Sequence, residues 1–272
     1  MAGQNNPVSR GVSLSVRGVC KSYGENRVLQ GVDLEVNAGE IFIIMGPSGC
    51  GKSVLLRQLV GLEEPDQGEI LIAGEAIRPP DLTTRYRVAM VFQSGALLTS
   101  MSVGENVGFY LSEHQLKTPE EIAAIVARDL ALVGLPGTEN MMPAELSGGM
   151  RKRVAIARAL AVEPQLVFYD EPTSELDPVS AADIAEDIVK LNEQIQATTV
   201  VVTHDRDLAF GIAHRIAMLE DGRIIAVGPP DAIRRNLDAR VQRYLTATIG
   251  SRLAVVSQGM PAPDLLPGRL PA

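Results

Sequence analysis

At 272 residues, 46% hydrophobic and 21% charged, the chain is long enough for a large core and has the composition of an ordinary globular protein. A formal net charge of -8 and a pI near 5.0 argue against a nucleic-acid partner, because neutralising phosphates needs a basic surface. Two cysteines, Cys20 and Cys50, lie well apart and without ligand spacing, which excludes a disulfide framework and a zinc site and fits a reducing compartment.

From the amino end, Met1 to Arg10 are polar with no apolar centre, so no secretory signal is expected. The longest apolar runs fall far short of the roughly 18 residues of a spanning helix, so the chain is not expected to cross a membrane by itself. Ser13 to Val19, Ile41 to Met45, Ala89 to Phe92, Gln165 to Tyr169, Thr199 to Thr203 and Ile216 to Leu219 read as strands. They alternate with amphipathic helical stretches, which predicts an α/β fold with a largely parallel sheet.

Directly after the second of these strands, Gly46-Pro47-Ser48-Gly49-Cys50-Gly51-Lys52-Ser53 fits G-x-x-x-x-G-K-[ST] and runs into a predicted helix, Val54 to Val60. Glycines let backbone N–H groups turn inward around phosphate oxygens, and the helix start adds partial positive charge. ATP is the expected ligand. Lys52 would meet its β and γ phosphates, and the Ser53 hydroxyl would ligate Mg2+. Cys50 reads as a small spacer, although its place at a helix start would lower its thiol pKa.

Between Gln93 and about Glu163 strand signals vanish, which predicts a mostly helical insertion. Within it, Thr118 to Val133 reads as a helix with a Thr118/Glu121 capping box, Pro119 in the first turn and Gly134 at its end. Ser147 is a plausible N-cap for a helix over Met150 to Val162, and the basic run Arg151, Lys152, Arg153 reads as its solvated face, with contact to a partner as the sharper alternative. Next, Leu166 to Tyr169 reads as a buried strand delivering Asp170 and Glu171. Asp170 would hold Mg2+, and Glu171 would polarise the attacking water. Asp177 caps a helix begun by Pro178, with Ile184, Ile188, Leu191 and Ile195 at helical spacing. His204 ends the strand Thr199 to Thr203, where it could orient that water. After Ile249 the chain turns rich in Pro and Gly and reads as an extended arm.

Together with Leu146-Ser147-Gly148-Gly149-Met150, these motifs make the chain resemble the ATP-binding cassette (ABC) family over about Leu14 to Leu245. The resemblance implies a P-loop NTPase core with a parallel-rich sheet. The ATP-binding domain would span 12–250, a helical subdomain about 94–163, and the tail 251–272. It implies that Gln93 is the Q-loop glutamine linking Mg2+ to the helical subdomain, so that Ser53, Gln93 and Asp170 form the metal set. It also implies that His204 is the switch histidine, Ser174 to Asp177 the D-loop, and Tyr23 the adenine-stacking ring. Ser147, Gly148 and Gly149 would face the γ-phosphate held by a second subunit, which makes a homodimer the expected state. Two positions depart from the pattern: Met150 replaces the commoner Gln, and Glu175 stands where a small residue is usual.

Ser94 to Leu98, Met101 to Val103, Glu105 to Val107 and Val241 to Leu245 are similar to the ATPase subunits of Mla-type lipid-transport systems. That resemblance implies an integral membrane permease, accessory lipid-binding subunits, phospholipid cargo and a peripheral place on the cytoplasmic face of a bacterial inner membrane. ATPases of other importers, such as those for amino acids, share every catalytic motif, and soluble assembly scaffolds also use this fold. Intact Glu171 and His204 disfavour a module that barely hydrolyses.

Overall fold

Two sheets organise the chain in the computed structural model, which describes residues 11–77, 82 and 85–247. The expected arm, 251–272, lies outside the described residues. One sheet contains β3 (Ile41–Met45), β6 (Val88–Val91), β7 (Leu166–Asp170), β8 (Thr198–Thr203), β9 (Arg215–Glu220) and β10 (Arg223–Gly228), in the order β10-β9-β3-β8-β7-β6. Every pairing is parallel except that of the edge strand β10. All residues of β3 and β8 are buried, as befits strands covered on both faces.

The second sheet is antiparallel: β1 (Leu14–Tyr23), β2 (Asn26–Val36), β4 (Gln67–Ile72) and β5 (Glu75–Ala76), ordered β2-β1-β4-β5. Of its strands, only β1 is foreshadowed by the sequence reading. Register shifts break the β1–β2 ladder at three places, so β2 lacks the unbroken alternation that marks a strand.

Helices form where their caps predict. Helix α1 spans Lys52–Leu59. Between β6 and β7 lie α2 (Val103–Glu113), α3 (Pro119–Leu132) and α4 (Gly148–Leu160), with no strand among the described residues of that stretch. Thr118 and Glu121 close the expected capping box on α3, and Ser102 with Glu105 closes another on α2. Asp177 accepts from the N–H groups of Val179 and Ser180 to start α5 (Pro178–Ile195). Three short helices follow: α6 (Arg206–Ile212), α7 (Pro230–Arg234) and α8 (Ala239–Thr246). No described helix is long and apolar enough to cross a membrane.

Strand alternation divides the core between the two faces of the larger sheet. Ile41, Ile43, Met45 and Val201 pack towards the helical insertion and α5, whereas Phe42, Ile44, Val200 and Val202 pack towards α1 and the antiparallel sheet. Phe168 belongs to the second group and is fully buried. Phe168→Ala should therefore cost about 3–5 kcal/mol in denaturant unfolding, whereas truncating the exposed Leu237 should change stability by less than about 0.5 kcal/mol.

Candidate functional site

Parallel pairing sets Met45 beside Thr203 and Met218, and Asp170 beside Val202, so the carboxyl ends of β3, β8 and β7 fall level. The loop leaving β3 must turn at once. A Cβ on Gly46 would lie 2.1 Å from the Leu219 carbonyl oxygen, so no larger residue fits. Gly51 has φ +107°, a left-handed conformation that delivers the chain into α1. No side chain caps α1, which leaves its first N–H groups free for an anion.

Lys52 is buried at 7% exposure and donates to the carbonyls of Gly46 (2.9 Å) and Pro47 (3.1 Å). Its Nζ lies 3.8 Å from Glu171 Oε1. Glu171 Oε2 accepts from Thr203 Oγ1 (3.0 Å) and from the His204 backbone N–H (3.2 Å), and it sits 2.9 Å from His204 Nδ1. Four groups thus fix one carboxylate. The Glu171 backbone is left-handed at φ +47°, a conformation that non-glycine residues keep only where their surroundings over-determine it.

Burial raises the Asp170 pKa, adjacent Glu171 raises it further, and Lys52 opposes both. Asp170 Oδ1 is buried without a hydrogen-bond partner, while the Ser53 hydroxyl is exposed to solvent. These two oxygens suit Mg2+, which commonly takes one or two protein ligands and completes its shell with water and substrate phosphates. Among the described residues no cluster of three or more His, Cys, Asp or Glu forms a metal site independent of a nucleotide.

The other expected residues make contacts of their own. Gln93 lies exposed in the turn after β6, and its carbonyl accepts from the Lys152 ammonium. Tyr23, at the end of β1, is 43% exposed and donates to Glu63 (2.5 Å). Ser147 caps α4 by accepting from Met150 N–H (3.2 Å). Gly148 and Gly149 face Leu176 and Ser180 of their own chain rather than the phosphate loop.

Three expectations need correction or addition. Burial pushes the Cys50 thiol pKa up, outweighing the lowering by the Lys52 charge and by the backbone N–H groups at the helix start, so the net shift is opposite to the expected one. Lys152 is not on a solvated face but is 6% exposed, and Arg153 pairs with Asp187 at 2.9 Å. Tyr244 on α8 went unnoticed: its hydroxyl donates to the His204 carbonyl (2.9 Å) and lies 3.4 Å from that of Gly46. Burial, with Glu171 nearby, pushes its pKa up to about 12. An aromatic on a short carboxyl-terminal helix gives no sequence signal for such a bridge.

The family profile described as ABC transporter matches residues 29–174. Over 236 residues the chain is 41% identical to the intermembrane phospholipid transport system ATP-binding protein MlaF of Escherichia coli K12, covering 85% of this chain and 88% of that protein. It is 40% identical over 247 residues to the probable ribonucleotide transport ATP-binding protein mkl of Mycobacterium leprae, covering 89% of this chain and 71% of the other. Its fold matches a solved ATP-binding cassette, a dimer in a post-hydrolysis state bound to ADP and Pi, with TM-score 0.71 and 34% identity over 80% of this chain and 98% of that one.

The cysteines report on the loop directly. Because Cys50 is buried with a raised pKa and Cys20 is half-exposed, iodoacetamide should label Cys20 at least about 10-fold faster in the folded protein. Mass spectrometry of a labelling time course reads this, and equal rates before denaturation would place Cys50 in solvent.

Proposed function

Because this chain belongs to the ABC transporter family, as one of its ATP-hydrolysing cassettes, we propose that it is the motor subunit of a phospholipid transporter. It would couple MgATP binding, homodimerisation and hydrolysis to lipid movement through an integral membrane permease. The observation that carries the hydrolytic part is the Glu171 carboxylate, fixed by Thr203, His204 and Lys52 at the level ends of three strands. For the cargo, support comes from the 41% identical phospholipid-transport relative and from the Mla-like segments around Ser94 to Val107.

On this reading Lys52 exchanges the carbonyls of Gly46 and Pro47 for β- and γ-phosphate oxygens, assisted by the N–H groups at the start of α1. Ser53, Asp170 and Gln93 would hold Mg2+, which when bound supplies charge neutralisation at the phosphates. Glu171 polarises water, while Thr203 and the His204 N–H keep its carboxylate aimed. The His204 ring, 57% exposed and engaged with Glu171 through Nδ1, would meet the γ-phosphate through its other nitrogen. Tyr23 would stack on adenine, and Ser147, Gly148 and Gly149 would serve the nucleotide of the second copy. The ATP-binding domain is assigned to 12–250, with the helical subdomain at about 94–163.

A groove of about 720 Å³ on the helical insertion is lined by Met101, Gly108, Phe109, Ile122 and Val126, with Glu105, Glu113 and Glu139 outnumbering the one basic residue, Lys117, around it. Phe109 is exposed there. An apolar floor with an acidic rim suits an amphipathic helix carrying basic residues, and we assign it to a cytoplasmic segment of the permease. The subunit would then be peripheral, on the cytoplasmic face of the inner membrane.

Glu171→Gln should retain nucleotide affinity and lower turnover about 100-fold or more, with ATP trapping a dimer visible by sedimentation. Hydrolysis at the normal rate would overturn the role of Glu171. Phe109→Asp should leave the ATPase activity of the isolated subunit intact and reduce recovery of a membrane protein in detergent pull-downs. In the recovered complex, ATPase activity should respond to added phospholipid, and a response to another solute alone would overturn the cargo.

A further inference from the structure

A buried ammonium is costly unless each of its N–H groups finds an acceptor. Lys152, on α4, is 6% exposed, and its three donors have three acceptors. They are the Gln93 carbonyl, the Glu171 carbonyl at 3.4 Å and Ser174 Oγ at 3.4 Å. Ser174 in turn donates to the same Glu171 carbonyl at 2.8 Å. The three acceptors lie on two segments distant in sequence: the turn after β6, which carries Gln93, and the turn after β7, which runs from the left-handed Glu171 to Ser174. Burial lowers the Lys152 pKa, and Glu175, Glu171 and Asp170 offset this only in part.

We propose that Lys152 is a positioning residue for hydrolysis, an ammonium carried by the helical insertion that locks the backbones of Gln93 and Glu171 to each other and to Ser174. It touches no reacting atom. By bonding the Glu171 carbonyl it stabilises the φ +47° conformation that turns the Glu171 carboxylate towards Thr203 and His204. Because α4 packs on α2 and α3, a shift of the insertion relative to the larger sheet would drag this ammonium and disturb both turns at once. The carboxylate is then aligned only when the insertion is seated, which links the surface bearing the apolar groove to the chemistry. The inference rests on Glu171 as the water-polarising residue.

The test compares full-length wild type with Lys152→Met, which keeps length without donors, Lys152→Arg, which keeps charge, and Glu171→Gln. Steady-state ATPase assays give kcat and KM, a fluorescent ATP analogue gives affinity, and thermal unfolding reports folding. Lys152→Met should bind nucleotide within about 2-fold of wild type and lose about 10-fold or more in kcat, with Lys152→Arg recovering most of it. Wild-type kcat in Lys152→Met, equal losses in affinity and kcat, or no recovery in Lys152→Arg would each overturn the proposal. Should Lys152→Met not fold, Lys152→Gln takes its place under the same criteria. Normal turnover in Glu171→Gln would overturn the reading of the site itself. An inactive Glu171→Gln beside a fully active Lys152→Met would overturn only the role of Lys152.

Discussion

The register of three parallel strands is the constraint on which the rest of the molecule depends, with Met45 of β3 opposite Thr203 of β8, and Val202 of β8 opposite Asp170 of β7. Each strand hands its chain to a different chemical element at the same height: the glycine-rich loop 46–53 after β3, Asp170 and Glu171 at the end of β7, and Thr203 and His204 at the end of β8. A slip of one residue in either ladder would turn the buried side chains of a fully covered strand to the opposite face. It would also move Glu171 out of reach of Thr203. The apolar residues that fix the register and the polar residues that form the site are therefore not independent choices.

Electrostatics at this junction explain why the carboxylates and Lys52 can share so small a volume. Lys52 and Glu171 stand 3.8 Å apart with side-chain exposures of 7% and 13%, and each has further partners in backbone carbonyls or hydroxyl and N–H donors. Such pairing offsets the desolvation that would otherwise push charge out of the site. Asp170 is the exception, with Oδ1 unpartnered and its pKa raised by burial. A divalent cation at that oxygen would relieve the one conspicuous electrostatic debt of the centre, in keeping with the role proposed for Mg2+.

What was legible in the sequence follows from how each element signals itself. Strands β3 and β7 are near-continuous apolar runs and β8 is made wholly of β-branched Thr and Val, as suits buried strands, and the glycine-lysine pattern of 46–53 reflects sterics as tight as the 2.1 Å approach at Gly46. The caps of α3, α4 and α5 are local and read directly from Thr118, Ser147 and Asp177. Strands β2, β4 and β5 escaped because polar residues and bulges break their alternation. Lys152 escaped for a different reason: a lysine within a basic run on a helix is normally solvated, and its burial depends on Gln93 and Ser174, which are distant in sequence. Tyr244 likewise acquires its role from His204, and only the folded chain brings the two together.

The two ends of the reading meet in α4. Ser147 is its N-cap and its first turn carries Gly148 and Gly149, where an added Cβ would come within 4 Å of Leu176 and of Ser180 of the same chain. Five residues beyond Ser147, roughly 7–8 Å along the axis, Lys152 grips the backbone of the chain's own Glu171. If the first turn serves the nucleotide of a second copy, a rigid helix joins one composite site to the catalytic carboxylate of the other. A displacement of α4 caused by the partner's γ-phosphate would then reach Glu171 through a single side chain. In such an arrangement binding at one site prepares hydrolysis at the other, with packed helix and buried ammonium as the physical link.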